Sequence, residues 1–167
     1  TPSLAAGCTT PPAAPGTEGK LSLPEAGDIA AVTGKSVVAT IKTTCGPIEL
    51  TLDGAKAPTT VASFVQLAQL GYWKEAPCHR LTTQGIFVLQ CGDPTGTGSG
   101  NPGYGYGIEN APADGKYPRG TVAMARTTDP PSATAQFFIN VKDNDFLSHS
   151  GKSMQGWGYT VFGRVVE

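Results

Sequence analysis

Two cysteines bracketing a pair of short apolar runs constrain this chain more than any other feature. Cys78 to Leu81 and Ile86 to Cys91 are strand-like, and the connection Thr82-Thr83-Gln84-Gly85 is polar and carries a glycine. That is the pattern of a β-hairpin with a loop of moderate length. A turn centred between Gln84 and Gly85 sets Leu81 against Val88, Arg80 against Leu89 and Cys78 against Cys91. Opposed Cα atoms of antiparallel strands lie about 4.5 to 5.5 Å apart, a span that a disulfide bridges, so a bond between Cys78 and Cys91 is expected to pin the hairpin. Arg80 then stands on a braced strand. A guanidinium is a planar charged donor and not a base at neutral pH, so its chemistry is polarisation or hydrogen bonding. The competing reading is a surface ion pair with Asp93 or Glu109.

The four cysteines include no Cys-x-x-Cys pair and the chain has two histidines, which argues against a zinc site; no metal or cofactor is expected. Disulfides account for the cysteines better and place the protein outside the cytosol. Of the three connectivities that four cysteines allow, Cys78 with Cys91 is favoured and Cys8 with Cys45 follows by exclusion. A net charge of −1 without a basic block lacks the electrostatic footprint of a nucleic-acid binder, and no run approaches the ~18 apolar residues of a membrane span. Leu4-Ala5-Ala6-Gly7-Cys8 resembles the lipobox of a bacterial lipoprotein, whose cysteine carries a lipid anchor; an ordinary disulfide cysteine behind small residues is the alternative. The chain lacks the charged and apolar regions of a leader, so it is not expected to be a whole precursor.

Residues 1–35 are rich in Pro, Gly and Ala, lack hydrophobic periodicity, and read as an extended linker or arm. The domain proper is expected over 36–167. Val37 to Thr44 reads as a strand, Cys45-Gly46-Pro47 as a turn, and Ile48 to Leu52 as a second strand. Pro58 opens an amphipathic helix that runs to Leu70, with Val61, Phe64, Val65 and Ala68 on its apolar side and Gly71 placed to end it. The glycines from Gly92 to Gly107 lack the Lys-Ser/Thr ending of a phosphate loop, and no helix pattern follows; a long structured surface loop fits better. Tyr117 to Arg126 reads as a turn followed by a strand, and further strands are expected at Ala135 to Val141 and Gly156 to Val166, with a turn or 3₁₀ element at Asp143 to Leu147.

Cys78-His79-Arg80, Phe87-Val88-Leu89-Gln90-Cys91-Gly92-Asp93, the Thr95 to Gly100 loop, Arg119 to Ala125, Gln136-Phe137-Phe138-Ile139 and Val161-Phe162-Gly163 stand in one order. From about Val37 to Val166 the chain resembles the cyclophilin-type peptidyl-prolyl cis-trans isomerases, with variants similar to the exported cyclophilins of actinobacteria. The resemblance implies a mainly β fold, a closed eight-stranded antiparallel barrel capped by helices, of which the C-terminal helix and closing strand are missing here. It implies Arg80 as the catalytic arginine, and Phe87, Val88, Met124, Phe138 and Leu147 as the proline pocket. Gln90, Ala125 and Gln136 would line the peptide groove, with Phe146 and Tyr159 where many eukaryotic members carry tryptophan and histidine. Arg126 and Ala135 replace the usual Asn and Ser beside the groove.

The implied partners are proline-containing peptides and unfolded exported proteins, with weak binding of cyclosporin. The hairpin as drawn places Gln90 on the face opposite Arg80, so a bulge is needed for both to line one groove. Spacing alone also allows Phe87, Met124, Phe138 and Leu147 to be plain core, and Gln90 and Gln136 to serve buried backbone. His79 and His149 read as structural or surface residues, having no acid or nucleophile neighbours of a triad. The competing functions are a proline-peptide binding module with little catalytic power and a surface lipoprotein that uses the fold as a scaffold.

Overall fold

The computed structural model describes residues 3–16, 19–127, 129–145 and 158–166. The elements are α1 (Ala26–Val32), β1 (Ser36–Thr43), β2 (Gly46–Asp53), α2 (Pro58–Gln69), β3 (Arg80–Leu81), β4 (Val88–Cys91), β5 (Thr121–Met124), a 3₁₀ turn Pro130–Ser132, β6 (Phe137–Asn140) and β7 (Val161–Val165). All strand pairs are antiparallel, in the order β1-β2-β7-β5-β6-β4-β3. Among the described residues β1 and β3 are the two edges. The expected architecture is therefore present as a curled seven-stranded half-barrel with two helices.

The period-two alternation of β1 and β2 buries one side of the ribbon, with Ala39 opposite Leu50 and Ile41 opposite Ile48. Thr43 pairs with Gly46, so the turn is Thr44-Cys45, and Gly46 and Pro47 already belong to the strand. The expected turn sits late because Gly46, at φ +112°, lets the strand begin directly after the corner, a conformation open to glycine.

Helix α2 lies over the concave side, with Val61, Phe64 and Leu67 buried. Its first-turn groups are met by Glu109, whose carboxylate accepts from the Thr59 and Thr60 N–H groups and the Thr60 hydroxyl at 3.2, 2.7 and 2.8 Å. A carboxylate there also complements the helix dipole. Phe64 stacks at centroid distances of 4.5, 5.6 and 5.6 Å on Trp73, Phe137 and Phe162, and Leu50, Leu52, Val122 and Ile139 complete this inner core. A second, smaller cluster of Val88, Ala123 and Phe138, with Ile86, Ala125, Tyr159 and Val161 against it, occupies the opposite side of the sheet.

The hairpin departs from the expected register by one residue: Arg80 pairs with Gln90 and Leu81 with Leu89. Its turn centres on Gly85 itself, at φ +74°, and the Ile86 N–H closes back on the Gln84 carbonyl at 2.9 Å. A one-residue slip changes which side chains share a face, so Arg80 and Gln90 lie on the same side with no bulge between them. Cys78 precedes β3 and does not oppose Cys91 in the ladder, yet the two are joined by a disulfide with Cα atoms 4.0 Å apart.

The leading segment lies along the domain. Cys8 is bonded to Cys45, and the N–H groups of Thr9, Gly16 and Leu21 donate to the carbonyls of Thr44, Pro94 and Pro102 at 2.8, 3.0 and 2.7 Å. It also contains α1, which packs on α2 and buries Val32; a helix of seven residues with one buried apolar anchor left no periodicity to read. A 3₁₀ turn falls at Pro130–Ser132; in the stretch Asp143 to Leu147, Asn144 forms an isolated bridge with Tyr117, and Phe146 and Leu147 lie outside the described residues. β7 starts at Val161, and the earlier part of the strand expected there, Gly156 and Trp157, lies outside the described residues.

Candidate active site

The second cluster follows from strand registers. Across the convex side, Arg80 pairs with Gln90, Gln90 with Phe138, Phe138 with Ala123 and Ala123 with Val161, so one row of the sheet runs from a cation through an amide to an aromatic ring. An open groove of about 150 Å³ lies along this row. Its apolar wall is Ile86, Val88, Ala125, Phe138 and Tyr159, and its polar groups are Arg80, Gln90 and Arg126.

Polar side chains in the row are tied to each other. Arg80 Nη1 donates to Gln90 Oε1 at 3.2 Å, and Gln90 Nε2 donates to Gln136 Oε1 at 2.9 Å. Gln136 Nε2 in turn donates to the carbonyls of Gly98 and Gly100 at 2.9 and 3.0 Å. The same two glycines donate their N–H groups to Asp93 Oδ2 at 2.6 and 3.2 Å, while the Thr95 N–H and hydroxyl donate to Asp93 Oδ1 at 2.8 and 2.7 Å. The glycine-rich loop is thus wound around one buried carboxylate. Burial pushes the Asp93 carboxyl up, but the bonds from Thr95, Gly100 and Gly98 outweigh it and hold the group below its ordinary value. Gly100 admits no side chain, since a Cβ would collide with Asp93.

Tyr159 is held from three sides. Its ring meets Phe138 edge-on at 5.3 Å and Tyr117 at 6.2 Å, its N–H donates to the Tyr117 hydroxyl at 2.9 Å, and the Arg126 guanidinium lies 4.8 Å from its ring centroid. Burial raises the Tyr117 hydroxyl above its usual pKa, which keeps it a neutral partner.

Of the expected site residues, Arg80, Val88, Gln90, Ala125, Phe138 and Tyr159 line the groove, and Gln136 braces it from behind. Met124 does not line it: alternation turns it to the inner core beside Phe137. Phe87 is also absent from the lining. Its backbone is held by Asn144 at 2.8 and 3.0 Å, and Lys142 Nζ sits 4.8 Å from its ring centroid. Phe146 and Leu147, like His149, lie outside the described residues. Ile86 was missed although it alternates with Val88 and Gln90, which was signal enough to find it. Arg126, read only as a departure beside the groove, is part of its wall. The ion pair considered for Arg80 is not the arrangement found: Asp93 is taken by the loop and Glu109 by α2. Among the described residues the row offers donors beside an apolar wall, an arrangement that can polarise a bound group.

Residues 38–167 match the family model described as cyclophilin type peptidyl-prolyl cis-trans isomerase/CLD. The chain is 44% identical over 133 residues to peptidyl-prolyl cis-trans isomerase cyp18 of Streptomyces antibioticus, covering 76% of this chain and 75% of that protein. It is 44% identical over 131 residues to peptidyl-prolyl cis-trans isomerase B of Escherichia coli (strain K12), covering 77% of each. Among solved structures it resembles a cyclophilin type peptidyl-prolyl cis-trans isomerase of Cryptosporidium parvum crystallised in the presence of the dipeptide Ala-Pro, with a TM-score of 0.63 and 28% identity over 78% of this chain and 79% of that one.

Proposed function

The chain belongs to the cyclophilin-type peptidyl-prolyl cis-trans isomerases, and we propose that it turns X-Pro bonds in the groove on the convex side of β4, β5 and β6, with Arg80 as its catalytic residue. An X-Pro bond rotates over a barrier of about 18 to 20 kcal/mol set by amide resonance, and takes tens to hundreds of seconds unaided. Val88, Phe138 and Tyr159 hold the proline ring against carbon. At the twisted state the amide has lost its resonance, and its charge distribution, with a pyramidal nitrogen, differs from that of the planar ground state. Arg80 donates to that altered amide, either at the nitrogen or at the neighbouring carbonyl. Gln90 keeps the guanidinium aimed along the row, so the donor is in place before rotation begins and stabilises the transition state selectively.

The observation that carries this reading is the register itself, with Gln90 alone standing between Arg80 and Phe138 in the row. The test is the cis-to-trans rate of a short Ala-Pro reporter peptide under oxidising conditions, with the native chain and with Arg80→Ala. Acceleration by the native chain, cut about 100- to 1,000-fold in kcat/KM by the substitution as for loss of a preorganised donor, supports the reading. Peptide binding without acceleration by the folded native chain overturns it in favour of a binding module.

Location and clients are part of the same proposal. The structure has no free cysteine among its described residues, and paired cysteines persist in oxidising compartments, so we place the protein outside the cytosol, at the outer face of the bacterial cell membrane or secreted, where unfolded exported proteins are its substrates and it acts as a folding helper. A lipid thioether and a disulfide compete for the same sulfur at Cys8. The bridge to Cys45 therefore favours a cross-linked arm over a lipid anchor, and mass spectrometry of Cys8 in the native protein distinguishes them. Cyclosporin binding is expected to be weak, since Phe146 and Tyr159 replace tryptophan and histidine.

A further inference from the structure

We propose that the leading arm is a positioning element of the isomerase site, clamping the glycine-rich loop so that Gln136 and Gln90 keep Arg80 aimed. The proposal rests on the groove being that site. The loop has reason to need a clamp. Gly92, Gly96, Gly98 and Gly103 all have positive φ, glycine gives a loop wide conformational freedom, and the tip at Thr97, Gly98 and Ser99 is exposed. Yet the Gly98 and Gly100 carbonyls are the acceptors that hold Gln136, which holds Gln90, which accepts from Arg80. Any drift of the loop is passed along these side chains to the guanidinium.

Asp93 fixes the loop from inside, and the arm fixes it from outside near both ends. The Gly16 N–H donates to the Pro94 carbonyl at 3.0 Å and the Leu21 N–H to the Pro102 carbonyl at 2.7 Å. Both prolines are buried and have no N–H of their own, so the carbonyl is the one backbone group by which each can be held. Close packing accompanies the bonds: a Cβ on Gly96 would lie 3.6 Å from that of Ala14, and one on Gly103 3.2 Å from the Lys20 Cα. The arm is itself made fast on either side of this span. Before it, Cys8 is bonded to Cys45 and the Thr9 N–H donates to Thr44; after it, Gln66 Nε2 donates to the Ser22 carbonyl at 2.8 Å and α1 packs on α2.

The experiment compares Ala-Pro turnover by the native chain, by Gly16→Pro with Leu21→Pro, and by Gly16→Asn with Leu21→Ala. The proline pair removes both N–H donors. The second pair keeps them, because Asn tolerates the φ of +70° at Gly16, where a Cβ meets nothing within 4 Å. Each pair is also placed on a Gln136→Leu background, which cuts the relay. The expected result is a kcat lowered about three- to tenfold by the proline pair, as for a lost net hydrogen bond, with KM nearly unchanged because Val88, Phe138 and Tyr159 are untouched. The second pair keeps native turnover, and the proline pair has no further effect once Gln136 is replaced. Should the proline pair unfold the chain, Leu21→Pro alone takes its place; should Gln136→Leu do so, Gln136→Met replaces it. A native kcat in the proline pair, an equal loss in the second pair, or a loss of the same size with and without Gln136 overturns the proposal while leaving the isomerase reading intact. Absence of Ala-Pro turnover by the native chain overturns both.

Discussion

The inner and outer faces of β4, β5 and β6 share every backbone atom and differ in almost everything else. Inward stand Leu89, Cys91, Val122, Met124, Phe137 and Ile139, packed against α2 and Phe162. Outward stand Val88, Ala123 and Phe138, interleaved with Gln90, Thr121 and Asn140. Asn140 is fully buried and Gln90 partly so, and both bond sideways, Gln90 to Gln136 and Asn140 to the Thr121 carbonyl, at 2.9 Å in each case. Val88, Ala123 and Phe138 are themselves 2%, 0% and 4% exposed, so what separates the faces is polarity: burial of apolar surface stabilises the inner face, while the outer face carries Arg80, Gln90 and Arg126 around its groove.

The comparison is broken most severely from inside. Phe162→Ala removes a wholly buried ring that packs 5.6 Å from Phe64, and is expected to cost about 3 to 5 kcal/mol of stability, read as a drop in denaturant midpoint. The remaining folded fraction should keep its kcat/KM. Arg80→Ala on the exposed edge of the row is the mirror case: a loss of about 100- to 1,000-fold in kcat/KM with an unchanged melting temperature. A result in which both variants lose stability and activity together would erase the division between the faces.

Asp93→Asn sharpens the comparison, because Asp93 touches neither the ligand surface nor the inner aromatic cluster. Replacing a buried acceptor of four hydrogen bonds should cost about 1 to 3 kcal/mol. It should also lower kcat/KM by less than Arg80→Ala, acting through Gln136 and Gln90. The pH dependence has a fixed sign. The folded carboxyl titrates below 3.8 and the unfolded one near it, so the stabilisation is fully present above about pH 3.8 and is lost as pH falls through the folded value. Acid unfolding curves of native chain and Asp93→Asn should therefore converge below that point. The smallest effect is expected at Val38, 66% exposed on β1 and far from the row: Val38→Thr should change stability by less than about 0.5 kcal/mol and leave turnover alone.

Periodicity was enough to place α2 within one residue of its end and to find the β1–β2 hairpin, because both bury one regular face. It was not enough for the register of the Arg80 hairpin. A polar loop fixes neither its centre nor its turn type, and a glycine at φ +74° moved the centre by half a residue and so exchanged the faces. Strand alternation also explains Met124: it stands one residue from Ala123 on β5 and so faces the inner core and not the groove. Gln90 lies in the groove as the motif implies, whereas Gln136 bonds the Gly98 and Gly100 carbonyls behind it, as the alternative reading had it; Asp93 as the anchor of the loop was not legible. Three of its four donors are backbone N–H groups, which no side-chain pattern announces.

The bond between Cys8 and Cys45, 37 residues apart in sequence, turns the arm, α1 and β1 into a covalent ring. A protease that cuts once inside that ring opens it without releasing a fragment, because the two new ends stay on the same molecule through sulfur. In an oxidising compartment such a nicked chain keeps α1 beside α2, and the damage becomes a loss of material only when a reductant arrives. Nicking and shedding are thus separate events for this protein, and the redox poise of its surroundings decides whether the first leads to the second.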